Sequence, residues 1–208
     1  MTHGPQLELI ELLSERMLAD GSRTLWRRVF LTSLRDTVRF EARALTLLCV
    51  DAPRHGWSLA ELDTFGQRFG GRCEPLGKER ALFHFDAAAP ALRAALLLQR
   101  MCGDFQFRLA VVTAPCHVAR FEVDGQRCQV VLPPPSGSVQ RAVDNAVPGT
   151  IHVCKESYPL LEDLLRAEVG DALVTVEFGE DAQAEASITL PPSTDSPITS
   201  FSTFAELR

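Results

Sequence analysis

The side chains best suited to chemistry in this 208-residue chain are six cysteines, five histidines and the carboxylates that follow predicted strands. No two cysteines have the Cys-x-x-Cys spacing of zinc and dithiol sites, and most lie in apolar runs. We therefore expect reduced, buried thiols that pack as small hydrophobes. Cys116 and His117 are adjacent, but neighbouring side chains on a strand point to opposite faces. They are not expected to form a nucleophile and its base.

Asp51 is the carboxylate whose position is most suggestive. It directly follows residues 45–50, a continuous apolar run typical of a central strand. A carboxylate just after a central strand is often a turn or helix cap.

Alternating strands and helices are predicted to position this carboxylate. Ser58 and Glu61 form a capping box that begins a helix, and Gly70-Gly71 ends it. Residues 72–76 and 81–85 predict a hairpin, followed by a helix over 87–102. The remaining predictions are strands 105–113, 117–123 and 127–132, a helix 139–145, a strand 149–153, a helix 159–168, and strands 173–178 and 184–190.

Composition shifts divide the chain into an N-terminal helical segment (1–43), a body (44–190) and a Ser/Thr/Pro-rich tail (191–208). The amphipathic helices of the first segment must either pack on the body or pair with a second copy of themselves. The tail is either a frayed end or a tethered peptide whose Phe201, Phe204 and Leu207 dock on this or another protein.

Charge and hydropathy exclude several classes of protein. The net charge is −6, and residues 156–208 contain 11 acidic but only 2 basic residues, which disfavours wrapping of nucleic acid. No apolar run approaches the ~20 residues that cross a bilayer, and the acidic N-terminus does not resemble a secretory signal. We therefore expect a cytoplasmic protein without membrane or nucleic-acid partners.

Several strings resemble, in the same order, the catalytic domain of class III adenylate and guanylate cyclases. The strings are Leu47-Leu48-Cys49-Val50-Asp51, Gly70-Gly71 with Glu79 eight residues later, residues 85–99, Arg108-Leu109-Ala110-Val111, and Ala146-Val147-Pro148-Gly149-Thr150-Ile151. The resemblance spans residues 44–190. It implies an α+β fold with a ferredoxin-like, palm-type βαββαβ sheet, helices packed on that sheet, and the N-terminal helical segment added.

The resemblance also assigns candidate site residues, several of them altered. Asp51 and Glu79 stand at the two positions that bind metal in the family, and Lys78 replaces a glycine beside Glu79. Gln140 and Asp144 stand where the family has an asparagine and a transition-state arginine. The longer Glu79 side chain, the Lys78 cation and the reversed charge at Asp144 all oppose binding of magnesium triphosphate. For Lys78 and Glu79 alone, a solvated charge pair at a hairpin tip is the simpler interpretation.

These replacements favour a catalytically inactive cyclase-like domain that acts as a protein-interaction or regulatory module in bacterial signalling. No cofactor is expected, and Mg²⁺ or Mn²⁺ would bind only if cyclase activity remained. The partner would be another protein, a second copy, or both. Three alternatives remain: a nucleotide-binding sensor without turnover, a cyclase active only as a heterodimer, and a degenerate diguanylate-cyclase-type domain.

Overall fold

The secondary structure is helical at the N-terminus and then alternates strands and helices. The structure is a computed structural model, and it describes residues 4–19, 22–51, 58–76, 80–102, 107–132, 138–169, 174–178 and 184–189. In chain order the elements are α1 (Gly4–Ala19), α2 (Arg23–Phe30), a 3₁₀ helix (Ser33–Thr37), β1 (Arg39–Asp51), α3 (Leu59–Arg68), β2 (Arg72–Leu76), β3 (Arg80–Phe85), α4 (Ala88–Cys102), β4 (Arg108–Val123), β5 (Gln126–Leu132), α5 (Ser138–Asn145), β6 (Ile151–Val153), α6 (Tyr158–Glu168), β7 (Val174–Phe178) and β8 (Ala184–Ile188).

The described strands form one sheet in the order β2-β3-β1-β4-β6-β8-β7, and β5 pairs with β4 as a hairpin. β1 lies between β3 and β4 and is antiparallel to both, whereas β4 and β6 are parallel. The first four strands with α3 and α4 make a βαββαβ unit of ferredoxin-like order, so the predicted α+β class is confirmed.

β4 differs from the sequence prediction, because it is one strand of 16 residues where two strands were expected. The Thr113 N–H donates to Ser157 Oγ at 2.6 Å, away from β1, so the nitrogen of Pro115 faces the same side. On that side β6 pairs with residues 109–111 and β5 with 117–123, which leaves a gap at Pro115. The strand passes through the proline because no hydrogen bond is required there.

Helices cover both faces of the sheet. On one face, Phe65 of α3, Leu92 of α4 and Leu161 of α6 belong to one core cluster with Leu48 and Val111 of the strands. On the other face, Leu47 and Cys49 share a second cluster with Val139 and Val143 of α5. α5 is therefore fixed against the sheet by its buried residues, which orients its polar residues.

The N-terminal helices pack on the β4–β5 hairpin. Leu13 and Met17 of α1 and Val29 of α2 form a third core cluster with Phe121 and Leu132. This is the first of the two arrangements that the sequence left open. Among the described residues, no helix is long and apolar enough to cross a membrane.

The turn from α3 to β2 depends on two glycines. Gly70 has φ +74°, which favours glycine, and a Cβ on Gly71 would lie 2.3 Å from the Phe85 ring. The predicted end of the helix is confirmed, as is the Ser58–Glu61 capping box at its start. α3 can therefore pack close against the β2–β3 hairpin that leads to the candidate site.

Candidate functional site

Asp51 occupies the end of β1, where three strands meet. Its Cα is in register with Arg80 at the start of β3 and with Arg108 on β4. The Asp51 side chain is only 15% exposed, so its charge requires a nearby partner.

Arg80 supplies that partner and also binds Asp144. The Arg80 Nη2 lies 3.4 Å from Asp51 Oδ2 and 2.6 Å from Asp144 Oδ1. Asp144 reaches the guanidinium from the last turn of α5, which Val139 and Val143 hold against the sheet. The structure thus joins two of the predicted site residues through a third that the sequence analysis did not single out.

The charge balance keeps Arg80 protonated. Burial lowers the pKa of the guanidinium, but the hydrogen bond to Asp144 and the charges of Asp144 and Asp51 outweigh it, so the pKa rises above its usual value. One cation is shared by two carboxylates, and the net charge of the three residues is −1.

Cys49 lies two residues before Asp51 in β1 and is fully buried. Burial raises the pKa of its thiol to about 12, with the Arg80 charge lowering it and the charge of Asp51 raising it. The thiol is protonated at neutral pH and packs as a small apolar side chain. The predicted packing role is therefore consistent with its environment.

The other candidate residues are less closely connected. Gln140 is exposed one turn before Asp144 and has no hydrogen bond to Asp51, Arg80 or Asp144 within the described part of the chain. Glu79, Lys78 and the three tail residues Phe201, Phe204 and Leu207 lie outside the described residues.

The described residues do not fit a bound metal ion. They include no group of three or more His, Cys, Asp or Glu side chains that could hold one. Asp51 and Asp144 both face the same guanidinium nitrogen, and an arginine cannot give up its charge to admit a second cation. Asp51, Arg80 and Asp144 thus form an ion triad in which the arginine occupies the space between the two carboxylates.

The sequence analysis missed the role of Arg80 because it assigned the second metal position to the adjacent residue, Glu79. The signal that could have found it is the antiparallel pairing of β1 with β3, which the ferredoxin-like strand order implies. In that pairing the last residue of β1, Asp51, lies opposite the first residue of β3, Arg80. An arginine opposite an aspartate at that position predicts an ion pair.

A second buried charged cluster lies farther along the sheet. Glu74 of β2 lies 3.2 Å from His84 Nε2 and 3.9 Å from Arg16 Nη2, and it accepts from the Val131 N–H at 3.2 and 3.3 Å. The His84 contact is close but lacks the alignment of a hydrogen bond. Glu74 therefore connects α1, β3 and β5 through its carboxylate.

Comparison with known proteins gives matches in structure only. No family model matches the sequence, and no curated protein matches it. The chain is similar in structure to an adenylate/guanylate cyclase/hydrolase from Silicibacter pomeroyi, with TM-score 0.52, 15% identity, and coverage of 74% of this chain and 100% of that one.

Two further solved structures give the same result. The dimeric guanylyl cyclase domain of the RhoGC fusion protein from Blastocladiella emersonii has TM-score 0.52, 13% identity, and coverage of 74% of this chain and 99% of that one. The adenylyl cyclase CyaB from P. aeruginosa has TM-score 0.50, 13% identity, and coverage of 76% and 99%. The chain has the fold of the class III adenylyl and guanylyl cyclase catalytic domains.

Proposed function

We propose that this chain is a catalytically inactive cyclase-like domain that acts as a protein-interaction module in bacterial signalling. The observation that carries the proposal is the position of Arg80 between Asp51 and Asp144. At the end of β1 the cation that contacts Asp51 is the Arg80 side chain of the same chain. A nucleotidyl cyclase would need that carboxylate for a divalent ion that carries the triphosphate.

Two electrostatic terms oppose catalysis. A divalent ion at Asp51 would have to displace Arg80, and the guanidinium would then repel the ion from a few Å away. Asp144 places a negative charge where the family resemblance expects a cation to stabilise the developing phosphoryl charge. Both terms raise the barrier, and neither is removed by a change of nucleotide.

An interaction role is supported by the fold and by the location of these changes. A similar structure is described as a dimeric guanylyl cyclase domain. The changes at Asp51, Arg80 and Asp144 affect the chemistry at one end of the sheet, and they leave the rest of the surface available to a second copy or another protein. A homodimer or a complex with another cytoplasmic protein is the corresponding proposal.

The test is an assay for cyclic nucleotide with the purified full chain, ATP or GTP, and Mn²⁺, analysed by mass spectrometry. We expect no product above that of the Asp51→Ala variant. The matched control is Asp163→Asn, which removes an exposed carboxylate on α6. Turnover that Asp51→Ala abolishes and Asp163→Asn retains would show that the domain is an enzyme.

The two alternative functions, a nucleotide sensor and a heterodimeric cyclase, predict different results in experiments on the same purified protein. A nucleotide sensor would show a thermal shift of several degrees with ATP or GTP, because saturating ligand adds about 2.7 kcal/mol at 100 times Kd. A heterodimeric cyclase would be active only when co-expressed with a complete cyclase chain. We expect neither, because the Arg80 guanidinium at this site is already bound by Asp51 and Asp144.

A further inference from the structure

The two N-terminal helices carry opposite charges on their exposed faces. Glu8, Glu11 and Glu15 of α1 are exposed and lie within about 60° of one another around the helix axis. Arg23 and Arg27 of α2 are exposed and lie within about 40° of each other. In the part of the chain that the structure describes, no ion pair joins these five residues to a neighbour. The surface therefore has an acidic row on α1 and a basic row on α2.

The other two arginines of these helices are directed toward the sheet. Arg16 of α1 is 10% exposed and contacts Glu74 of β2. Arg28 of α2 is paired with Asp124 at the turn between β4 and β5. Neither guanidinium lies in the acidic row, which consequently has no cation from its own helix.

An apolar strip separates the two rows. Leu7 and Leu18 are 49% and 46% exposed, and their spacing of eleven residues places them on one side of α1. Ser14 marks the side of α1 that faces α2, because its Oγ accepts from Trp26 Nε1 at 2.7 Å. Around α1 the two leucines lie between Ser14 and the acidic row. Phe30, which stacks on Trp26, continues the apolar strip on α2.

We propose that this surface binds the same surface of a second copy of the chain, around a two-fold axis parallel to the apolar strip. Such an axis exchanges the two sides of the strip, so the acidic row of each copy faces the basic row of the other. A two-fold axis across the strip would instead place the acidic rows against each other. The charge pattern therefore selects one arrangement, and an interface of this kind closes at two copies.

The heights of the residues along the two helices can be compared because α2 returns along α1. The Ser22 N–H donates to the Met17 carbonyl at 3.0 Å, and the side chain of Trp26 reaches Ser14. Each step forward along α2 therefore corresponds to a step backward along α1. Residue 26 is level with residue 14, residue 27 with residue 13, and residue 23 with residue 17.

These heights bring the charges of the two copies together. Rotation about an axis parallel to the strip keeps every residue at its own height. Arg27 of one copy then faces the space between Glu11 and Glu15 of the second copy, and it is about 3 Å from each of them along the axis. Arg23 is about 3 Å from the height of Glu15. Each basic side chain thus has a carboxylate within reach, and the leucines of the two strips meet between the rows.

The size of the surface predicts a weak, reversible dimer. α1 has 16 residues and is about 24 Å long, and two adjacent helices are about 20 Å wide. Such an area is smaller than the roughly 800 Å² that each partner buries in a stable interface of standard size. Because much of the attraction is between exposed charges, added salt should weaken the dimer.

This dimer rests on the part of the proposed function that names a second copy as a partner, and it specifies the surface used. The contact uses the outer sides of α1 and α2, whereas their buried sides pack on the β4–β5 hairpin. Asp51 lies at the opposite end of β1 from Val38, which packs with these helices. The dimer therefore leaves the ion triad uncovered, and its test is independent of any cyclase assay.

The test measures the mass of the full chain in solution by sedimentation equilibrium. One variant reverses the acidic row (Glu11→Arg with Glu15→Arg), and another reverses the basic row (Arg23→Glu with Arg27→Glu). Charges are reversed in pairs because one exposed ion pair contributes little by itself. At about 100 µM protein in about 50 mM salt we expect dimers of the wild type and a dissociation constant at least tenfold higher for each variant alone.

Mixing the two variants should restore the dimer. In the mixed pair, both contacts again join a positive row to a negative row. The chain that carries all four substitutions should also dimerise with itself, for the same reason. Leu7→Ala with Leu18→Ala should raise the dissociation constant severalfold, because it removes exposed apolar surface without touching the core.

The matched control places the same change of charge elsewhere. Glu156→Arg with Asp163→Arg alters exposed carboxylates before and on α6 and should leave the dissociation constant of the wild type unchanged. Circular dichroism checks that each variant is folded. A monomeric wild type, a dimer that survives both reversals, or a mixture of the two variants that stays monomeric would overturn the proposal. A monomeric wild type would still leave another protein as the partner in the proposed function.

Discussion

At the scale of single residues, Arg80 has the largest effect on what this fold can do. One guanidinium nitrogen contacts carboxylates from β1 and α5, so both carboxylates have a cationic partner within the chain. Arginine is suited to this position because it stays charged and can serve two acceptors. A lysine would offer a similar charge but a smaller and more hydrated group.

Substitution Arg80→Met should therefore destabilise the fold. It removes the cation that contacts Asp51, which is 15% exposed, and we expect a loss of about 1 to 2 kcal/mol in the free energy of unfolding by urea. Asp144→Asn should cost under about 1 kcal/mol, because Asp144 is 53% exposed and the solvent screens its charge.

Mn²⁺ provides a further check on Arg80. The ion should restore part of the lost stability in Arg80→Met, where the two carboxylates that shared the guanidinium lose it, and should leave the wild type unchanged. An Arg80→Met variant as stable as the wild type would show that the triad contributes little to the fold.

At the scale of elements, the sequence predicted most strands and helices because their signals are local. The Ser58–Glu61 capping box and the Gly70-Gly71 terminator involve residues a few positions apart. The contact of Glu74 with the Val131 N–H joins residues 57 positions apart, and the contact with Arg16 joins β2 to α1. No local pattern encodes such a pairing, so the packing of α1 on the sheet remained one of two options.

Glu74 is the residue that should test how α1 is held. Glu74→Ala leaves the Val131 N–H and the Arg16 and His84 side chains without their carboxylate, and we expect a loss of about 2 to 4 kcal/mol in urea unfolding. Glu74→Gln keeps an acceptor for Val131 and should cost less. The exposed Glu15→Gln on α1 is the control and should stay within about 0.5 kcal/mol. Equal stability of Glu74→Ala and the control would contradict the proposed role of this cluster.

At the scale of the whole molecule, the N-terminal helices and the sheet share a core. The division at residue 43 rested on a change from helical to strand periodicity, but β1 begins at Arg39, and Val29 and Val38 are buried with Phe121 of β4. Periodicity identifies elements and not the contacts between them. The division of the chain into segments therefore does not determine how many units unfold separately.

Unfolding should be a single transition in which α2 is lost together with the sheet. In the Trp57→Phe variant, Trp26 is the remaining tryptophan; it stacks on Phe30 at 5.6 Å and donates to Ser14 Oγ at 2.7 Å, so its fluorescence reports on the α1–α2 pair. We expect the urea midpoint from Trp26 fluorescence to equal that from far-ultraviolet circular dichroism, because nine buried side chains of the shared cluster join the helices to β4 and β5. If Trp26 changed at a clearly lower urea concentration, the helices would form a separately unfolding unit, and residue 43 would lie near a real boundary.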